Sequence, residues 1–199
     1  QQEVKAIAYS PGTGTNGCLI AATLTGAYIS TDGGQQWVPT GSPVPSSPLN
    51  AAAATDTFLF AGTTGSGVAR TSDHGTTWTL CNTGLADTTV TLLAVFDRVL
   101  YAACDNAVFR STNNGATWLA VGPSPAPSTV ANLTFIRRDG APPTVFAYGS
   151  GGMYRVDDGE AAWTKIREEG TPPYDIFSSG LAAIDSLLIT VSPYVVSTS

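Results

Sequence analysis

Apolar residues along this chain come in short, strand-sized runs separated by clusters of Ser, Thr, Gly, Asn and Asp. Val4-Lys5-Ala6-Ile7-Ala8-Tyr9 and Cys18-Leu19-Ile20-Ala21-Ala22-Thr23 read as strands, and Gly26-Ala27-Tyr28-Ile29 follows after a short turn. A polar phrase comes next, closed by Trp37-Val38 as the start of a further strand. The order then recurs. Phe58-Leu59-Phe60-Ala61-Gly62 precedes Gly67-Val68-Ala69-Arg70, Val99-Leu100-Tyr101-Ala102-Ala103 precedes Ala107-Val108-Phe109-Arg110, and Val145-Phe146-Ala147-Tyr148 precedes Met153-Tyr154-Arg155. A last partial copy pairs Leu187-Leu188-Ile189-Thr190-Val191 with Tyr194-Val195-Val196-Ser197. Each unit is expected to hold four short strands.

The polar phrases give the repeat its period. They are Ser30-Thr31-Asp32-Gly33-Gly34-Gln35-Gln36-Trp37, Thr71-Ser72-Asp73-His74-Gly75-Thr76-Thr77-Trp78 and Ser111-Thr112-Asn113-Asn114-Gly115-Ala116-Thr117-Trp118. A worn copy runs Val156-Asp157-Asp158-Gly159-Glu160-Ala161-Ala162-Trp163, with its glycine one place early. All 4 tryptophans of the chain close such a phrase, at offsets of 41, 40 and 45 residues. In S/T-x-D/N-x-G-x-x-W the Asp or Asn is expected to accept from backbone N–H groups two residues on, with the Ser or Thr hydroxyl doing the same more weakly. Gly34, Gly75, Gly115 and Gly159 supply the positive φ that reverses the chain. Each Trp is expected to bury its ring against a sheet. The phrase is thus a stapled hairpin with structural residues Ser30, Asp32, Gly34, Trp37, Thr71, Asp73, Gly75, Trp78, Ser111, Asn113, Gly115, Trp118, Asp158, Gly159 and Trp163.

A four-stranded antiparallel unit repeating at this period is the signature of a β-propeller, here one domain over 1–199 with blades at about 1–44, 45–84, 85–124, 125–170 and 171–199. The phrases resemble those of the Asp-box (bacterial neuraminidase repeat) propellers, a group that includes sialidases, xyloglucan-cleaving glycoside hydrolases, sortilin-type receptors and photosystem assembly factors. The resemblance spans residues 4–199 and implies the fold without implying an activity. It also implies that the boxes sit at the outer rim, away from the channel where ligands bind.

Composition narrows the function classes. Charged residues make up 12%, and 9 basic against 15 acidic residues give a net charge of −6. No positive field is available to hold nucleic acid, and no apolar run approaches the roughly 20 residues of a membrane-crossing helix. The chain begins at Gln1, which leaves removal of a signal peptide or excision of a fragment; export is the expectation, placing the protein outside the cell. Asn132-Leu133-Thr134 is a glycosylation sequon. Cys18, Cys81 and Cys104 match no zinc spacing and leave one disulfide open.

Catalytic chemistry is poorly represented. Arg70, Arg110 and Arg155 occupy matching ends of the third strand and invite comparison with a sialidase triad, yet identical repeat positions explain them better than convergence on one carboxylate. Asp56, Asp87, Asp97, Asp105, Asp139, Asp175, Asp185, Glu168 and Glu169 are the candidate acids outside the boxes, and most sit in turn contexts. The single histidine, His74, lies inside a box; no cofactor or metal site is expected. Two classes stay open: a binding or scaffold module with protein or glycan partners, and a carbohydrate-active enzyme or its fragment. The fifth copy stops inside its box, so Tyr194, Val195, Val196 and Ser197 are expected to offer an open strand edge for self-association into an oligomer or filament.

Overall fold

A computed structural model of the chain describes residues 3–12, 17–40, 48–105, 107–122, 128–138, 141–150, 152–157, 162–167, 180–184 and 187–191. The box residues Asp158 and Gly159 and the strand-edge residues Tyr194, Val195, Val196 and Ser197 lie outside them. The described residues are all strand, turn and loop, with no helix. Contacts group the chain into two compact units, Gln1–Ala120 and Val121–Ser199.

The first unit holds three four-stranded antiparallel sheets, each a simple meander. Sheet one orders β1 (Val4–Ser10), β2 (Cys18–Thr23), β3 (Gly26–Ser30) and β4 (Val38–Pro39). Sheet two repeats this with β5 (Leu49–Ala54), β6 (Leu59–Thr63), β7 (Val68–Thr71) and β8 (Thr79–Leu80), and sheet three with β9 (Val90–Phe96), β10 (Val99–Cys104), β11 (Val108–Ser111) and β12 (Leu119–Ala120). In each, the polar phrase links the third strand to the fourth. The fourth strand begins one residue after the Trp, and its two residues are exposed.

Sheet two shows why its strands read as continuous apolar runs rather than as an alternation. Successive side chains point to opposite faces, and both faces are covered. Ala52, Leu59, Ala61 and Ala69, with Trp78, pack against Ile20, Ala22, Ala27 and Ile29 of sheet one. Ala51, Ala53, Phe60 and Val68 pack the other way, against Leu93, Leu100, Ala102 and Phe109 of sheet three, joined by Trp118. Many of these positions hold small residues, chiefly alanine.

The second unit repeats the meander with β13 (Ser128–Arg138), β14 (Ala141–Ser150), β15 (Gly152–Asp157) and β16 (Thr164–Arg167), followed by the hairpin β17 (Gly180–Ile184) and β18 (Leu187–Val191). Ile136, Phe146 and Met153 form a small buried cluster there.

Candidate functional site

The turns are held by a hydroxyl and a carboxylate acting together. In the second phrase, Thr71 Oγ1 donates to Asp73 Oδ1 at 2.7 Å and accepts from the Gly75 N–H at 3.0 Å, while Asp73 Oδ1 accepts from the Thr77 N–H at 2.9 Å. The first phrase matches it through Ser30, Asp32, Gly34 and the Gln36 N–H, and the third through Ser111, Asn113, Gly115 and the Thr117 N–H. This corrects the expected bonding. The principal N–H reaching the Asp or Asn lies four residues on, not two, and the hydroxyl is a full partner that spans four residues itself. Two consecutive positive-φ residues make this reach possible: His74 at 55° with Gly75 at 80°, and Asn114 at 55° with Gly115 at 78°. His74 therefore occupies a left-handed position that Gly33 and Asn114 fill in the other copies, which the sequence pattern signalled through residue types tolerant of that conformation.

Hydrogen bonding sets the acidity of the two aspartates. The Thr77 hydroxyl at 2.6 Å from Asp73 Oδ2, with the Thr77 N–H and the Thr71 hydroxyl, lowers the Asp73 pKa to about 2. Asp32 is also lowered, first by the Gln36 N–H and then by the Ser30 hydroxyl. Gln36 stands where Thr77 stands, so Asp32 lacks the second hydroxyl bond.

The tryptophans are not equivalent. Trp118 and Trp163 are buried and donate their indole N–H to the carbonyls of Cys81 at 2.6 Å and Val121 at 2.7 Å, each carbonyl belonging to the residue three beyond the preceding Trp. Trp78 is buried, but its N–H meets no acceptor; the counterpart carbonyl would be that of Thr40. Trp37 departs from expectation: it is only half-buried, and its N–H turns back to Gly34 O at 3.1 Å. The reason is that no sheet of the first unit covers its face of sheet one, where Val4, Ile7 and Tyr9 are 50%, 58% and 59% exposed.

The arginines have structural partners. Arg70 sits 4.9 Å over the Phe58 ring and bonds the carbonyl of Asn114, which ties sheet two to the turn of sheet three. Arg155 pairs with Asp157 at 3.1 Å, and Asp157 also accepts from the Thr144 hydroxyl.

All three cysteines are free and buried. Burial pushes Cys81 up to about 11 and Cys104, with Asp87 and Asp105 nearby, up to about 12; Cys18 is raised by burial as well. They are small core hydrophobes, not nucleophiles. Among the described residues no group of His, Cys, Asp and Glu could hold a metal ion.

Among the described residues a groove of about 460 Å³ lies where sheets one and two meet, lined among others by Ile29, Asp32, Val38, Thr40, His74 and Gly75. The sequence reading missed it, because Ile29 and Thr40 carry no chemical signature and the groove forms only when two repeats pack.

Comparison with known proteins supports the architecture. No curated protein sequence matches the chain. Among solved structures, YCF48 bound to D1 peptide is similar with a TM-score of 0.65 at 17% identity, covering 91% of this chain and 57% of that one. An ancestral GH74 enzyme is similar with a TM-score of 0.65 at 21% identity, covering 90% and 25%. The extracellular domain of a putative one-component system from B. thetaiotaomicron gives 0.65 at 13%, covering 90% and 24%. The chain thus spans between a quarter and somewhat over half of these relatives, and at such identities the likeness is one of fold. A family model described as the DUF6242 beta propeller domain matches residues 50–181. With most of its length inside that match, the chain belongs to the DUF6242 β-propeller domain family.

Proposed function

We propose that the chain is a secreted, non-catalytic propeller module of the Asp-box type that binds protein or glycan at the cell exterior. The observation that carries this reading is how its reactive side chains are engaged. The Asp and Asn of the three phrases and their hydroxyl partners hold turns, Arg70 and Arg155 hold sheets and turns, and the thiols are buried with raised pKa values. The Asp-box assignment is supported by three turns with the same hydroxyl, carboxylate or amide, and glycine bonding. A structure of the same fold with a bound peptide makes peptides a ligand class to try first. Self-association by strand addition at Tyr194–Ser197 is part of the same proposal and concerns residues outside those described.

The test is a panel of α- and β-linked glycans and sialosides, assayed both for hydrolysis and for binding. Binding without turnover is expected. Turnover lost on replacing acids outside the boxes would overturn the reading in favour of a carbohydrate-active enzyme.

A further inference from the structure

The seam between sheets two and three is bridged by a side chain at the place that corresponds to the groove between sheets one and two. There, Arg70 at the end of β7 crosses to the carbonyl of Asn114, the left-handed residue of the next turn. At the first seam the position of Arg70 is taken by Ile29 and that of Asn114 by His74. An isoleucine has no donor, and the His74 carbonyl receives no hydrogen bond from a described residue; both residues line the groove.

The rest of the lining carries neutral polar side chains, Thr31, Gln36 and Thr76 among them, together with further acceptors. Thr40 stands where Cys81 and Val121 stand, and their carbonyls accept indole N–H groups; no described residue donates to the Thr40 carbonyl. Asp32 brings a carboxylate held ionised by its turn, whose Oδ2 lacks the hydroxyl that Asp73 receives from Thr77. No Lys or Arg lines the groove, and the chain as a whole carries −6. Among the lining residues, the Asp32 carboxylate, the unbonded backbone carbonyl of His74 and the aliphatic side chains of Ile29 and Val38 suit a planar cation with several N–H donors on an apolar stem. That is an arginine side chain.

We infer that this groove receives an arginine side chain from a partner polypeptide, which takes the place at the first seam that Arg70 takes at the second. The ligand class is an exposed, arginine-bearing segment. The inference deepens the binding-module reading and rests on it, but its test addresses this groove alone: failure here leaves other surfaces for binding, whereas glycan turnover would remove the broader reading.

The experiment is a titration of the isotopically labelled protein, followed by amide chemical shifts, with a short capped peptide holding one arginine and with the same peptide holding citrulline, which keeps the shape and loses the charge. Saturable shifts at Thr31, Asp32 and His74 to Thr76 are expected with arginine, at least tenfold weaker with citrulline, and weakened by added salt. Ile29→Arg, which supplies the guanidinium internally, should abolish them. Val38→Arg places a competing cation from a side chain that is 62% exposed and removes the risk that a buried change prevents folding. Absent shifts, equal response to citrulline, shifts confined to other sheets, or undiminished binding by folded Val38→Arg would each overturn the inference.

Discussion

The indole N–H of Trp118 donates to the carbonyl of Cys81 at 2.6 Å, across a separation of 37 residues, and so fastens the turn of sheet three to the end of sheet two. The Trp118 backbone N–H reinforces it by donating to Thr83 O at 2.8 Å. Trp118→Phe keeps most of the packing and leaves the Cys81 carbonyl without its donor, at a cost of about 1–3 kcal/mol. Trp78→Phe should cost less, because the Trp78 N–H has no acceptor to lose. Urea unfolding of the two variants measures the difference; equal losses would mean that ring size alone matters.

Two glycines with similar backbone angles should respond differently to substitution. Gly33 has φ of 76° and open space where a Cβ would stand, so Gly33→Ala meets backbone strain of about 1–2 kcal/mol and nothing else. At Gly75, with φ of 80°, the added Cβ would lie 2.6 Å from Thr40 Cγ2 and 3.2 Å from Ile29 Cγ1. Gly75→Ala should therefore lower the thermal midpoint more than Gly33→Ala.

Asp73 should make stability depend on pH in acid. Its folded pKa of about 2 lies below the ordinary carboxylate value of 3.8, so the ionised form is favoured by folding. The contribution is fully present above about 4 and is lost as pH falls through about 2. Asp73→Asn keeps an oxygen acceptor of the kind Asn113 uses in the third turn, and it should flatten the acid limb of a thermal unfolding series between these values. A limb unchanged by the substitution would assign the acid sensitivity to other carboxyls.

The three thiols should be silent in the folded protein. Cys18, Cys81 and Cys104 are 2%, 6% and 0% exposed, and Cys81 and Cys104 stay protonated at pH 8 with pKa values pushed up to about 11 and about 12. Titration with a thiol reagent at pH 8 should find almost none in native protein and 3 after denaturation. A count of one in denaturant would reveal a disulfide.

The sequence by itself determined the repeating unit. Short apolar runs and a phrase whose Ser or Thr, Asp or Asn, and Gly all act within a few residues of one another are local properties, and β1 to β4, β6 to β8 and β10 to β12 fall where that pattern places them, whereas β5 and β9 were expected only from the four-strand count. The left-handed conformation of His74 was not read from the sequence, although Gly33 and Asn114 at the same place in the sister copies carry its signal. What only the tertiary structure decided is how nominally identical positions differ. Trp37 is half-exposed while Trp118 is buried and bonded, Trp78 is buried with its N–H unmet, and Arg70 finds Asn114 where Ile29 leaves a groove beside His74. These outcomes depend on which sheet lies against which, through partners some 40 residues apart. A local pattern carries the type of each side chain, but the acceptor it meets is supplied by the neighbouring repeat, and only packing brings the two within hydrogen-bonding distance.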